Sequence, residues 1–365
     1  MHRFKGCFLR RVTVGLLSLA AVSLPCQATA TAPSPITEKP TLPFTPRYEA
    51  TLHGGFVRAA NAAITCRGSV SVKKTGCAEA RAGATAGNGD FDMFYTDIDR
   101  DPNTYNSSGA EFRLPAGARV TYARLYWGGN LRVGEQKPPR DNGRVLVAEP
   151  GGDYKQVLAD SVVGHRVANG ADAYQASADV TDLVRSSGSG MYTVAQLNVA
   201  MGRTAAGAWG GWTLVAAYED EAAPLRHLFL QDGFDTFTRQ HPSKDVHVRT
   251  ALAEGASGYA GLVAYNGDRG RGGDSLTVST GRGRPLALSD RANPAGDVLN
   301  STISQPGGQQ PKRTPDHGNN LGYDSDVFAL DDAVARGGKA LDFRLTSLKD
   351  TAWIGVLFGA VDARP

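Results

Sequence analysis

The sequence predicts an all-β protein built as two glycine-rich antiparallel β-sandwich lobes of jelly-roll type. Three observations predict it. First, apolar residues alternate with period two over several runs. Trp212, Leu214, Ala216 and Tyr218 point one way while Thr213, Val215 and Ala217 point the other. Second, Gly, Asn-Gly and Asp-Gly punctuation separates short β-branched and aromatic runs, as hairpins require. Third, no long segment carries the three-to-four-residue apolar spacing of an amphipathic helix.

Residues 1–30 read as a secretory signal: Arg3, Lys5, Arg10 and Arg11 precede a short apolar run, Val12 to Leu24, and the small-residue site Ala28-Thr29-Ala30. Arg10-Arg11 raises twin-arginine export as an alternative to the general route, although Thr13-Val14 stands where Phe-Leu is expected. Residues 31–47 hold five prolines and read as an extended linker. The first lobe is placed at 48–222. It contains a strand in which Val120, Tyr122, Arg124 and Tyr126 alternate with Thr121, Ala123, Leu125 and Trp127. The second lobe is placed at 223–363, after a seam near Ala223-Pro224, and ends in a buried-type strand over Thr351–Val361. An internal echo supports two similar halves. Asp179-Val-Thr-Asp-Leu-Val184 and Leu330-Asp-Asp-Ala-Val334 each read as a helical turn, capped by Asp or Thr, that stops at glycine and feeds a strand.

Without residues 1–30 the chain loses four basic residues, leaving 39 − 4 = 35 Lys and Arg against 36 Asp and Glu. That balance leaves no basic stripe for nucleic acid, and no later apolar run is long enough for a membrane helix. Cys7 and Cys26 fall within the signal, so Cys66 and Cys77 remain. An isolated close pair in an exported chain reads as a disulfide. A metal site would need a second Cys or His pair, and catalytic thiol exchange a tighter Cys-x-x-Cys.

The order of several short motifs resembles one family: Asp97-Ile-Asp99-Arg-Asp101, Leu125-Tyr-Trp127-Gly-Gly129, Gly211-Trp-Thr-Leu-Val215, Asp232-Gly-Phe234, Gly273-Asp-Ser-Leu276 and Asn320-Leu-Gly-Tyr-Asp-Ser-Asp326. From Gly54 to Val361 the chain resembles an uncharacterised extracellular domain at the front of actinobacterial, Streptomyces-type cell-surface proteins, often ahead of repeated β-sandwich modules. The resemblance implies a surface location and an adhesin-like β domain, and no particular reaction. Longer relatives carry stalk repeats or a sorting signal, whereas this sequence stops at Pro365. Free secretion is therefore expected, with the cell envelope or periplasm as the other compartments.

Asp97, Asp99, Asp101 and Asn103 place oxygen ligands on every second residue, the pattern a hard cation favours. Pro102 and Ser108 replace the glycine and glutamate of an EF-hand, so a looser calcium site is expected, completed by Asp324, Asp326, Asp331 or Asp332. The competing reading is a solvated Asp/Asn turn. Gly273-Asp-Ser275-Leu spells an esterase nucleophile block but follows a polar loop. The one downstream histidine, His317, has Thr314 where that class carries its aspartate. His165, His227, His241 and His247 show no zinc spacing. Trp127 and Trp212 alternate with core residues, leaving Trp209 as the candidate exposed platform for sugar stacking.

These readings converge on a secreted or cell-surface adhesin-like module that binds a surface glycan or protein and is stiffened by calcium. The alternative is a secreted hydrolase acting on polysaccharide or esters. A deep cleft with converging histidine or carboxylates would favour the hydrolase.

Overall fold

The computed structural model describes residues 37–69, 75–307 and 310–364. The signal at 1–30 and residues 31–36 of the proline-rich segment lie outside them. Ten strands follow one another in a single hydrogen-bonded order, and the long strand Leu42–Ala62 stands at its centre. Residues 42–53 of that strand pair with Leu225–Thr236, and residues 54–62 pair with Gly210–Glu219. The order continues from there in two directions. One half adds Arg119–Asn130, Ala171–Asp179 and Ser161–Ala168. The other adds Trp353–Asp362, Gly258–Tyr265, Tyr323–Ala329 and Ile303–Ser304.

The two halves face each other. Tyr126 donates to Asp232, Thr213 Oγ1 lies 2.7 Å from the Tyr323 hydroxyl, and the Tyr265 hydroxyl donates to Gln175 Oε1. A core of Phe56, Tyr126, Val215, Leu230, Tyr265, Tyr323 and Phe358 fills the space between them. Each half also covers its other side with a smaller sheet. Ser107–Phe112, Gly190–Ala195, Arg144–Ala148, Lys155–Leu158 and Arg313–Thr314 cover the first; Ser243–Glu254, Arg336–Ser347, Asp274–Ser279 and Leu286–Leu288 cover the second. The result is four β layers around three cores. Alternation assigns the faces: Trp212, Leu214 and Ala216 enter the first outer core while Val215 and Ala217 enter the central one. Fully burying one large apolar side chain contributes about 1.5–3 kcal/mol, so three such cores dominate stability.

The structure is all-β, as the sequence predicts, and the main sheets pair antiparallel except where Ile303–Ser304 runs parallel to Tyr323–Ala329 at one edge. The helical turns expected in the echo are present as Thr181–Ser187 and Asp331–Val334, but their N-caps are Val180 and Leu330 with no side-chain cap, and only the first stops at glycine, Gly188. The 31–47 linker ends earlier than expected, because a strand already runs from Leu42. Pro43 and Pro46 are tolerated there because residues 42–53 border the second half at its edge, and the pairing shifts register beside each. Chain segments also cross the seam at 222/223: Arg313–Thr314 pairs with Ser107–Phe112, and Leu321 packs in the first outer core.

Candidate functional site

The Cys66–Cys77 disulfide is present, with Cα atoms 5.7 Å apart. It ties the short helix Cys77–Arg81 to the strand Ile64–Ser69.

The 97–103 ladder folds as a hydrogen-bonded turn. Asp99 Oδ1 accepts from the Asp101 amide at 2.9 Å and from Thr104 Oγ1 at 3.0 Å, while its other oxygen accepts from the Tyr154 hydroxyl. Asp101 Oδ1 accepts from the Asn103 amide, and Asp97 Oδ1 accepts from Ser107 Oγ. Partial burial pushes the Asp99 carboxyl up, but the bonds from Tyr154 and the Asp101 amide outweigh it and hold the group below its ordinary value. The hydrogen bonds of Asp324, Asp326 and Asp331 run to Thr302, Ser304 and Gly258 instead of toward this turn. Among the described residues no three His, Cys, Asp or Glu side chains stand together at metal-ligand spacing.

Trp209 is not an exposed platform. It is fully buried, with its ring 4.9 Å from that of Trp353 and 5.9 Å from that of Tyr265. Ser275 sits on the strand Asp274–Ser279 opposite Thr346, and no described histidine hydrogen-bonds to it. On the same sheet His247 Nδ1 lies 2.6 Å from Asp342 Oδ1, and Asp342 pairs in turn with Ser279. The histidine on this sheet is thus engaged by a carboxylate, and no described hydrogen bond brings it to Ser275. His317 lies half-buried away from it, with its pKa lowered to about 4 by burial and by Arg81 and Arg313.

A concave feature of ligand size and mixed lining opens where the two sandwiches meet. It is a cleft of about 630 Å³ floored by Phe56, Val57, Tyr218, Tyr259 and Phe358 and rimmed by Arg113, Arg226 and Asp331. Both halves supply the floor. The Tyr259 hydroxyl accepts from the Phe56 amide at 2.6 Å and donates to the Phe56 carbonyl at 3.1 Å. Phe56 and Phe358 meet edge to face at 5.6 Å. Arg226 is fixed by Asp362 at 3.2 Å and by the Gly54 carbonyl, and Arg113 by Glu111 at 2.6 Å. Two guanidinium groups and a carboxylate over an aromatic floor can orient a polar ligand while covering its apolar face.

Beneath the cleft lies a buried polar plug. Arg58 donates to the Ser325 and Ser304 carbonyls. Asp326 Oδ1 accepts from Ser304 Oγ at 2.7 Å and from Thr302 Oγ1 at 3.0 Å. Burial raises Asp324 well above the usual carboxylate range, with the Asp326 charge adding to it. Asp326 itself is pushed up to about 7 by burial, against the Ser304 bond and the Arg58 charge. These carboxyls are sealed between sheets, so they hold the layers in register and reach no substrate.

The family model described as "Protein of unknown function (DUF3344)" matches residues 81–268, which is 188 of the 365 residues. The chain belongs to the DUF3344 family. No curated protein matches it. Among solved structures, this DUF3344 chain is similar to the major capsid protein P2 from Bacteriophage PM2 at 13% identity and a TM-score of 0.20, over 73% of this chain and 96% of that one. A structure of Sulfolobus Turreted Icosahedral Virus gives 11% identity and a TM-score of 0.22, over 69% and 86%. Scores this low carry nothing about function.

The cleft of this DUF3344 protein had one local signal in the sequence, the adjacent pair Gly54-Gly55 inside a strand. A Cβ on Gly54 would lie 1.9 Å from the Tyr218 carbonyl oxygen, and one on Gly55 would lie 2.6 Å from the Tyr259 hydroxyl. Glycine mid-strand marks such close approach. The rest of the cleft comes from segments far apart in the chain, which no local pattern links.

Proposed function

We propose that this protein is a secreted or cell-surface binding module of adhesin type, which takes a glycan or a protein segment in the cleft between its two sandwiches. The observation that supports this is the cleft itself: a fixed aromatic floor, a rim of two arginines and one aspartate, and a volume within the range of small-ligand sites. Its aromatic floor comes from paired strands, so that part of the site is set before the ligand arrives and little ordering cost accompanies binding there. The order of motifs shared with actinobacterial surface domains supports an extracellular setting. The Cys66–Cys77 bridge agrees with an oxidising compartment. Among the described residues around the cleft no histidine is paired with a serine or carboxylate in relay order, which supports contact rather than turnover.

A glycan and matrix-protein array probed with the purified chain tests it. The expected result is retention of a limited ligand set, each ligand recovered chemically intact after prolonged incubation. Release of sugars or acyl groups from a bound ligand would replace this reading with the hydrolase.

A further inference from the structure

One wall of the cleft is the open edge of a sheet. The strand Tyr323–Ala329 pairs with Gly258–Tyr265 along its whole length, but its other edge meets only Ile303–Ser304, at Ser325 and Asp326. Two bonds give the direction of its main-chain groups. The Leu330 amide donates to the Gly258 carbonyl on the paired side, and the Ser325 amide donates to the Thr302 carbonyl on the opposite edge. Main-chain groups alternate sides along a strand, so Val327 and Ala329 turn theirs to the same edge as Ser325. Both residues line the cleft, and Phe328 between them does not.

The ladder stops here for a chemical reason. Extending the parallel register two residues beyond the Ser304–Asp326 pair brings Pro306 beside Phe328. In that register the donor to the Val327 carbonyl falls on Pro306, which has no N–H. Arg58 caps the last formed step by donating to the Ser325 and Ser304 carbonyls. Among the described residues no strand lies beside the Val327 carbonyl or the main-chain groups of Ala329. Across the cleft the Phe56 main chain is already engaged, because the Tyr259 hydroxyl takes both its amide and its carbonyl. One strand edge is therefore occupied and the other is open.

Charge does not select the ligand. On the rim Arg113 is paired with Glu111 and Arg226 with Asp362, while Asp331 accepts from the Gly258 amide. Edges that proteins keep from pairing carry charged side chains. The edge strand Ser243–Glu254 does so with Lys244, Asp245, His247 and Arg249, and Gln231 donates to its His247 carbonyl. Val327, Phe328 and Ala329 carry no charge.

We infer that, granted the cleft as the binding site, its ligand is an extended peptide segment, which adds as a strand to the Val327–Ala329 edge and continues the line of Ile303–Ser304. Main-chain bonds to Val327 and Ala329 supply affinity, and alternate side chains of the segment lie over Phe56, Tyr218 and Phe358. The segment is therefore apolar at every second residue and free of proline where it pairs.

Panning the purified chain against a random nine-residue peptide library, then titrating the best binder, tests this. The expected binder has apolar residues at alternate positions. Methylating the backbone nitrogens of alternate residues should weaken it about tenfold or more in one set and little in the other, because only one set faces the edge. Ala329→Pro removes an amide that faces the cleft and breaks no bond within the sheet. It should keep the parent's Tm and weaken the same peptide about tenfold. If Ala329→Pro melts lower, the methylated peptides decide alone, since they leave the protein unchanged. Equal effects of the two methylation sets overturn strand addition, as does a library that yields no binder. A glycan retained in place of any peptide, with affinity lost in Ala329→Trp, also overturns it but keeps the cleft as the site.

Discussion

Gly54 is where the long strand leaves one sheet for the other. Its φ of +154° and the nearby Tyr218 carbonyl leave no room for a side chain. Gly54→Ala should therefore destabilise the fold by about 2 kcal/mol or more, read as a lowered denaturation midpoint; an unchanged midpoint would mean that the strand does not switch sheets there. Asp99 makes a different prediction. Its oxygens hold the 97–104 turn together, so Asp99→Ala should cost about 1–2 kcal/mol, equally in calcium and in chelator, by thermal melting. A loss confined to calcium would return the ladder to the metal reading. At this scale the sequence was legible where chemistry is local. The Cys66–Cys77 pairing and the acidic run were both plain, but whether carboxylate oxygens face an ion or their own backbone depends on a turn conformation that composition does not specify. Trp209 misled because its small neighbours Ala208 and Gly210 resemble exposure; here they allow close packing of its ring against Trp353.

Strand alternation identified most core faces correctly, and one exception shows its limit. Val120 and Tyr122 share a face in a regular strand, yet Val120 packs in the outer core and Tyr122 packs against the central one. The cause is a bulge: Tyr218 pairs with Val120 and Ala217 with Tyr122, so Thr121 is extra and the parity changes. The strand Tyr323–Ala329 carries Asp324 and Asp326 inward, which a period-two reading could only call polar. Both carboxyls are raised, so across about pH 4 to 7 the folded chain keeps protons that the unfolded chain has already released. Their contribution is therefore fully present at low pH and is lost as pH rises through about 7. Asp324→Asn should flatten the decline of Tm between pH 5 and 8 and gain about 1–2 kcal/mol at the alkaline end. Parallel pH profiles for parent and variant would show that the pair does not set the slope.

At the scale of the molecule, two sandwiches were legible from glycine punctuation and the echoed helical turns, because each is a local pattern repeated. Their stacking was not. It depends on one strand shared by both halves and on partners such as Tyr126 with Asp232, 106 residues apart in the sequence. The cleft exists only because of that stacking, which is why no motif announced it. Ala329 lies exposed within the cleft, where a larger side chain fills space without entering a core. The most direct test of the cleft as the binding site is a paired titration of parent and Ala329→Trp against an array-positive ligand. Equal melting temperatures and at least a tenfold weaker affinity for Ala329→Trp, about 1.4 kcal/mol, are the predicted result. Equal affinity in the two proteins would contradict it and place recognition on another face.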